Sequence, residues 1–232
     1  MNTAYYWRID EVNDASDDSP WAGNVWNFTT GDFFVIDDFE VYDAAENQIW
    51  FAWHDGLGAG TLGTPGYLPG NWTGSAVGDE TSPSYTEETI VHSGSQSMPF
   101  AFDNNKQGYA YYSEVEHMLA DQRDWTEEGV TKLSLWFYGD SANTAEPLYV
   151  AVSNSAGTPA VVVHDDAIAA QIDTWTEWII PLQAFVDQGI VLTNVDRIAI
   201  GLGTKGNMTI PGGSGKMFID DILLYQPSET VE

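Results

Sequence analysis

The chain has 232 residues, of which 43% are hydrophobic and 13% aromatic, so it carries enough apolar material for one sizeable core. Its 35 acidic and seven basic residues give a formal net charge of -28. This charge excludes nucleic acid and anionic membranes as favoured partners, because both are bound through basic patches. No apolar run approaches the roughly eighteen residues of a membrane span, and the absence of cysteine excludes disulfides and thiolate chemistry.

The N-terminal segment predicts a pair of strands. Residues 4–12 and 24–30 alternate large apolar and polar side chains on either side of a polar, turn-rich stretch. They resemble the last two strands of a fibronectin type III domain, and the matching residues are Tyr5, Tyr6, Trp7, Arg8, Trp21, Val25, Trp26, Phe28, Thr29 and Thr30. Two strands cannot bury their own faces. We therefore expect residues 1–31 to be a β-hairpin remnant that docks on the main domain or another chain, or is loosely ordered.

Two acidic strands open and close the rest of the chain. Residues 33–42 and 217–225 are β-branched and aromatic runs, each interrupted by a doubled carboxylate. The two doublets are Asp37-Asp38 and Asp220-Asp221. If the first and last strands meet, these carboxylates converge, and a hard cation would make that arrangement tolerable.

Many short alternating strands fill the sequence between them. A long loop at 57–85 is followed by runs of which 132–138 is the clearest, with Leu133, Leu135 and Phe137 predicted to face inward. Helix-like stretches are short, at 116–122 and 166–172. The predicted strands are 48–56, 88–92, 97–103, 109–115, 132–138, 148–152, 160–164, 174–181 and 197–202. The pattern predicts an all-β fold, an antiparallel β-sandwich over residues 32–227, with a tail at 228–232.

The order of these motifs resembles a known family. The segments 92–104, 124–140, 146–157, 175–185, 194–202 and 215–225, behind an acidic opening strand, are similar to β-jelly-roll carbohydrate-binding modules of the galactose-binding-like type. More narrowly, they are similar to modules of large secreted planctomycete proteins. The resemblance implies a jelly roll and a structural calcium where the first and last strands run side by side. It also implies polysaccharide as the partner, neighbouring domains in a longer modular protein, and a secreted or cell-surface location.

The resemblance places the calcium on four carboxylates. They are Asp38 and Glu40, two apart on one face of the first strand, and Asp220 with Asp221 on the last. Backbone carbonyls of residues 93–97 are expected to complete the shell of about six to eight oxygens. The alternative is that these acids face solvent, but their flanking residues are too apolar for an exposed strand.

Outward-facing aromatic residues predict the sugar-binding surface. An aromatic ring covers the apolar face of a pyranose, while a carboxylate accepts hydrogen bonds from its hydroxyls. Tyr149 is expected on the strand next to that of Trp136, and Trp72 is expected to close over the surface from the long loop. The candidates are Trp136, Tyr138, Tyr149, Tyr112, Glu114 and Trp72. The charge of -28 favours a neutral polysaccharide over uronates and sulfated glycans.

Two other functions stay open. A jelly-roll glycoside hydrolase or polysaccharide lyase needs two carboxylates about 5 to 9 Å apart in a cleft, and the pool is Glu114, Glu116, Asp140 and Glu146. No G-x-S-x-G or H-E-x-x-H pattern supports catalysis, so a non-catalytic protein is favoured. The other alternative is a structural or adhesive module of a modular extracellular protein.

Overall fold

A computed structural model describes residues 3–15 and 18–226. The predicted tail at 228–232 lies outside the described residues, as do positions 1, 2, 16, 17 and 227. The described strands are β1 (Ala4–Trp7), β2 (Trp26–Thr29), β3 (Phe33–Asp37), β4 (Trp53–His54), β5 (Gly58–Ala59), β6 (Leu68–Pro69), β7 (Ser75–Val77), β8 (Met98–Asp103), β9 (Ser113–Met118), β10 (Lys132–Tyr138), β11 (Leu148–Ser153), β12 (Ala160–Val163), β13 (Thr176–Pro181), β14 (Arg197–Leu202) and β15 (Ser214–Tyr225).

Helical structure in the same residues is confined to single turns. The α-helical turns are α1 (Ile49–Ala52) and α2 (Gln183–Val186). Three further turns, Glu127–Gly129, Ala169–Gln171 and Leu192–Asn194, are 3-10 helices. No helix within these residues has the length and apolar character that a membrane span requires.

Two antiparallel sheets pack face to face around one core. A six-stranded sheet has the order β13-β10-β15-β8-β7, with β3 also paired to β15, and a five-stranded sheet has the order β12-β11-β14-β9-β4. Leu133, Phe137 and Phe100 of the first sheet and Val150 and Ile200 of the second are fully buried in a common cluster. The predicted antiparallel β-sandwich is confirmed, and so is the inward face of β10.

The long closing strand β15 organises the six-stranded sheet. Along one edge it pairs with β10, and its other edge is shared by β3, paired at Ile222 to Tyr225, and β8, paired at Ser214 to Ile219. The first and last strands of the domain therefore meet, as predicted. Neither β3 nor β8 pairs with Asp220 or Asp221, and Asp221 has a left-handed backbone with φ of 45°. The two carboxylates thus lie at a break in that edge.

Several local predictions are wrong, each because tertiary contacts replace the predicted structure. Residues 88–92 form a loop, since the N–H groups of Thr89 and Ile90 bond to the carboxylate of Glu87 and that of His92 to Asp220, instead of to a strand. Residues 116–118 continue β9 and pair with β14 instead of starting a helix. The predicted strand at 48–56 divides into α1 and β4. The first acidic strand ends at Asp37 because Phe39 has φ of 61°.

The N-terminal hairpin stands apart from the sandwich sheets. β1 and β2 pair with each other and with no other described strand. Their register places Tyr5 opposite Phe28 and Trp7 opposite Trp26, with ring centroids 5.3 and 6.1 Å apart. Every residue of both strands is exposed. The predicted hairpin is present, and its relation to a fibronectin type III domain stays a prediction.

Candidate functional site

The structure separates the predicted sugar-binding residues onto the two outer faces of the sandwich. Trp136 and Tyr138 lie on β10 of the six-stranded sheet, whereas Glu114 on β9 and Tyr149 on β11 belong to the five-stranded sheet. The expectation that Tyr149 lies on a strand next to that of Trp136 is wrong, because the chain crosses to the other sheet after β10. One predicted face thus becomes two candidate surfaces.

The outer face of the five-stranded sheet carries a shallow groove, with a volume of about 30 Å³ and a floor of small residues. Ala151 lies opposite Ala199 across β11 and β14, and Gly201 lies opposite Tyr149. We call this feature the polar groove, and its lining residues are Glu114, Glu116, Ala151, Ser153, Pro159, Arg197, Ala199 and Lys205. Because the side chains of the floor are small, the longer charged side chains rise around them and form the walls of the groove. Two of the seven Lys and Arg residues of this acidic chain are among them.

Glu114 is held in place at one end of the groove. Its side chain is 1% exposed, and the ammonium of Lys205 contacts both of its carboxylate oxygens. The Tyr149 hydroxyl donates a hydrogen bond of 2.8 Å to Glu114 Oε2. The Tyr149 ring lies over Gly201, and any larger residue at position 201 would collide with it. Burial raises the pKa of Glu114, while Lys205 acts in the opposite direction. The result is a fixed, paired carboxylate that is closed off from solvent.

A second ion pair lines the same groove. Arg197 Nη1 donates a hydrogen bond of 2.8 Å to Glu116 Oε2. Among the described residues, the buried atoms Arg197 Nε and His54 Nε2 have no hydrogen-bond partner, and His54 lies opposite Glu116 on the edge strand β4. Buried polar atoms generally bond to protein or to water, so each marks a position for an ordered water.

Tyr112 directly precedes β9, and Trp72 lies in the loop between β6 and β7. Tyr112 packs against the cluster of Tyr149, Ala151 and Ala199 on this face, and burial, followed by the carboxylates of Glu114 and Glu116, raises its pKa. Trp72 is 67% exposed, its ring centroid is 6.1 Å from that of Tyr109, and its carbonyl accepts a hydrogen bond from the N–H of Ala110. The structure therefore brings Tyr112, Glu114 and Tyr149 together and leaves Trp72 beside the segment that leads into β9.

The outer face of the six-stranded sheet carries a different surface, made of aromatic rings. We call it the aromatic surface, and its residues are Trp136, Tyr138, Trp175, Phe218 and His92. The His92 and Trp136 rings stack with centroids 3.7 Å apart and an interplanar angle of 16°. Tyr138 meets Trp175 at 5.6 Å and Phe218 at 6.1 Å, both edge to face. One face of the Trp136 ring is therefore already covered.

Three of the four predicted calcium ligands contact one loop, residues 92–96, which we call the junction loop. Asp220 is fully buried, and its Oδ2 accepts hydrogen bonds from the N–H groups of His92 at 2.9 Å and Ser93 at 3.3 Å. Asp221 contacts His92 Nδ1 at 2.6 Å and accepts a hydrogen bond of 3.0 Å from the Ser93 hydroxyl. Glu40 accepts hydrogen bonds from the other end of the junction loop, at residues 95 and 96.

The remaining candidate, Asp38, accepts a hydrogen bond of 3.2 Å from the N–H of Glu40. The expectation that Asp38 and Glu40 share one face of a strand is wrong, because both follow the end of β3. Carboxylate oxygens suit calcium, but the junction loop directs N–H and O–H donors at them. In residues 3–15 and 18–226, no group of three or more Asp, Glu, His or Cys side chains is arranged to hold a metal ion. The carboxylate oxygens suit calcium as ligands, and in this arrangement they are occupied by the hydrogen bonds of the junction loop.

Sequence reasoning missed the cations of the polar groove. Arg197 was part of a correctly predicted strand, and Lys205 lies in the loop after it. The sequence did contain a signal for these cations, which is their scarcity. Because only seven Lys and Arg residues occur among 35 acids, each cation in or near a strand is expected to pair with a carboxylate. Trp175 and His92 of the aromatic surface were also missed, because both lie in loops outside the strands.

Comparison with known proteins supports the fold. No protein family and no curated protein matches the chain. A family 11 carbohydrate-binding module of the cellulosomal cellulase Lic26A-Cel5E of Clostridium thermocellum is similar in structure, with a TM-score of 0.52 and 16% identity. The match covers 86% of this chain and 98% of that one. A solution structure of the module CtCBM11 is also similar, with a TM-score of 0.51 and 18% identity. The match covers 85% of this chain and 96% of that one.

An enzyme also contains this fold. In a β-1,2-glucanase from Parabacteroides distasonis, 85% of this chain matches 25% of the enzyme with a TM-score of 0.51 and 15% identity. At these identities the comparisons establish the fold alone. The chain has the β-sandwich fold of carbohydrate-binding modules.

Proposed function

We propose that this protein is a non-catalytic carbohydrate-binding module that binds a neutral polysaccharide along the polar groove. The observation that carries the proposal is the pair of partly exposed cations Arg197 and Lys205 on the outer face of the sheet, held in place by Glu116 and by the buried Glu114. Preorganised charged and amide-like groups bond to sugar hydroxyls at little ordering cost. The solved modules of the same fold are named as carbohydrate-binding, which supports the same function here.

The chemistry of the groove favours a neutral ligand. Its carboxylates and cations occur in pairs, so an anionic sugar would have to displace Glu114 or Glu116 from its partner. The net charge of -28 adds a general repulsion of anions. Hydroxyl groups can instead donate to Glu116 and accept from Arg197 and Lys205, whose side chains are partly exposed, without breaking either pair. Tyr112, half-buried beside them, supplies the apolar contact for a sugar ring.

The aromatic surface is the second candidate for the same function. Trp136, Tyr138 and Trp175 are half-buried neighbours, as a stacking platform requires. The polar groove is favoured over it because His92 already stacks on Trp136 and covers one face of that ring. The double variant Trp136→Ala/Tyr138→Ala tests this choice directly.

We expect Arg197→Ala to weaken polysaccharide binding about tenfold or more, since a hydrogen bond to a charged group contributes about 1.5 to 3 kcal/mol. The measurement is retardation in native gels containing mixed-linkage β-glucan, laminarin, xyloglucan or galactomannan. Arg123→Ala is the matched control, because Arg123 also pairs with an acid, Asp196, at 3.0 Å and with similar exposure, but away from the groove. It should bind like the unaltered protein.

The variants separate the alternatives. Loss of retardation in Trp136→Ala/Tyr138→Ala but not in Arg197→Ala would move the site to the aromatic surface. No retardation of the unaltered protein by any neutral polysaccharide would contradict carbohydrate binding and favour the structural or adhesive module. Release of reducing sugar would favour a hydrolase. Against catalysis, the carboxylate pool is already engaged: Glu114 and Glu116 pair with cations, and Asp140 and Glu146 accept loop amides.

The proposal includes a structural calcium at the junction loop. Its support is the predicted set Asp38, Glu40, Asp220 and Asp221, three of which surround that loop. Binding requires the loop to exchange its hydrogen bonds for calcium contacts. We expect excess chelator to lower the melting temperature, because an ion bound only by the folded state stabilises it by mass action. An unchanged melting temperature together with metal-free purified protein would contradict this prediction.

A secreted or cell-surface location and neighbouring domains belong to the same proposal. The exposed rings of Tyr5, Trp7, Trp26 and Phe28 form an apolar ladder that a further sheet would bury. This supports a fibronectin type III-like neighbour in a modular protein, as the sequence resemblance implies.

A further inference from the structure

A second concave site lies at the edge of the sandwich, away from the polar groove. It is a cleft of about 520 Å³ between α1, the loop that carries β5, and the edge strand β7. We call it the edge cleft, and its lining includes Gln48, Trp50, Phe51, Asp55, Thr61 and Glu80. Its volume lies within the range of about 300 to 1,000 Å³ typical of small-molecule sites. It shares no lining residue with the polar groove.

The apolar wall of the edge cleft is fixed before any ligand arrives. The Trp50 ring stacks on Tyr85 with centroids 4.8 Å apart, and its indole N–H donates a hydrogen bond of 3.0 Å to Gln48 Oε1. Gly78 has φ of 85°, and a side chain there would meet the Trp50 ring at 3.0 Å. Phe51 beside it is 44% exposed. Trp50 is thus held in one orientation at the cleft by a ring, a hydrogen bond and a glycine.

The polar wall contains acids but no cation. Asp55 is fully engaged, since it accepts hydrogen bonds from the N–H groups of Leu57 and Gly58 at 2.8 Å and of Val77 at 2.9 Å. The exposed Glu80 and Thr61 remain for a ligand. Among the described residues that line the cleft there is no Lys, Arg or His, so an anionic ligand has no counter-charge.

We propose that the edge cleft is a second saccharide site, which takes a short neutral sugar segment stacked on Trp50. A fixed aromatic ring with carboxylate and hydroxyl groups at its side is the combination that recognises a sugar, which has an apolar ring face and a rim of hydroxyls. The ligand class rests on the proposed function, whereas the site does not. With two separate sites, one module can hold two chains, or two stretches of one chain.

The test follows the indole N–H resonance of Trp50, assigned with Trp50→Phe. The probes are cellohexaose, laminarihexaose, xylohexaose and mannohexaose. A saturable shift is expected with at least one probe, and it should persist in Arg197→Ala, whose polar groove is disabled. Thr61→Trp, which fills the cleft from its rim, should abolish the shift. Leu62→Trp is the matched control: Leu62 is 78% exposed on the same loop, does not line the cleft and should leave the shift intact.

Each outcome decides between the two sites. A Trp50 shift in both the unaltered protein and Arg197→Ala, absent from Thr61→Trp, supports the edge cleft. No Trp50 shift, with retardation that depends on Arg197, overturns the edge cleft and leaves the proposed function standing. A Trp50 shift without any dependence of retardation on Arg197 supports the cleft and overturns the polar groove. No shift and no retardation with any probe overturns both.

Discussion

Lys205→Met is expected to lower the free energy of unfolding by about 3 to 5 kcal/mol at neutral pH, because it leaves the buried carboxylate of Glu114 without its counter-charge. Glu114 is 1% exposed and Lys205 24%, so water screens this pair weakly. The only other donor to the carboxylate among the described side chains is the Tyr149 hydroxyl. Urea unfolding of both proteins at the same pH measures the difference.

The loss should depend on pH in a definite direction. Burial already raises the pKa of Glu114 in the folded protein, and removal of Lys205 raises it further. A carboxyl whose folded pKa exceeds its unfolded value binds its proton more tightly in the folded state. Its contribution to stability is then full below the unfolded pKa and is lost as the pH rises through the folded pKa. The deficit of Lys205→Met should therefore be small near pH 4 and grow towards pH 7.

Two variants check the explanation. Lys216→Met removes an exposed pair, Lys216 with Asp79 at 3.8 Å, and should cost less than about 1 kcal/mol. The double variant Glu114→Gln/Lys205→Met removes both charges and should recover most of the loss. A pH-independent deficit, or no recovery in the double variant, would show that Lys205 acts through packing instead of charge.

Strand identity was predictable from the sequence where the pattern was strong. The bounds of β10 and β14 coincide with the predicted runs, because both strands bury one full face in the core. The meeting of the opening and closing strands was also predictable, since both carry the same interrupted apolar pattern.

The placement of side chains on surfaces was not predictable. Consecutive strands β10 and β11 alternate in the same way, and nothing in either sequence says that the chain changes sheet between them. Trp136 and Tyr149 therefore looked like neighbours. Likewise, the turn at Phe39 depends on a left-handed backbone that an aromatic residue rarely adopts, so the strand looked longer than it is. Contacts between distant segments decide both features.

The polar groove depends on a residue that sequence reasoning passed over, Gly201. We expect Gly201→Ala to lower the free energy of unfolding by about 3 kcal/mol, which combines overpacking of about 1 to 3 kcal/mol with a weakened hydrogen bond to a charged group. A Cβ at this position falls on the ring of Tyr149, which is fully buried. The backbone of Gly201 is not in the left-handed region, so the whole cost arises from displacing that ring. The melting temperature should fall by about 6 to 12 °C.

The same substitution links the floor of the groove to binding. When the Tyr149 ring moves, its hydroxyl leaves Glu114, so Gly201→Ala should also weaken polysaccharide retardation at a temperature where the variant is folded. Tyr149→Phe removes the hydroxyl alone and should reproduce most of the binding loss with a smaller stability loss. Gly201→Ala/Tyr149→Leu removes the clash, so its loss in free energy of unfolding should be smaller than the sum of the losses of the two single variants. Strictly additive losses would show that Gly201 and Tyr149 act independently and that the glycine does not position Glu114.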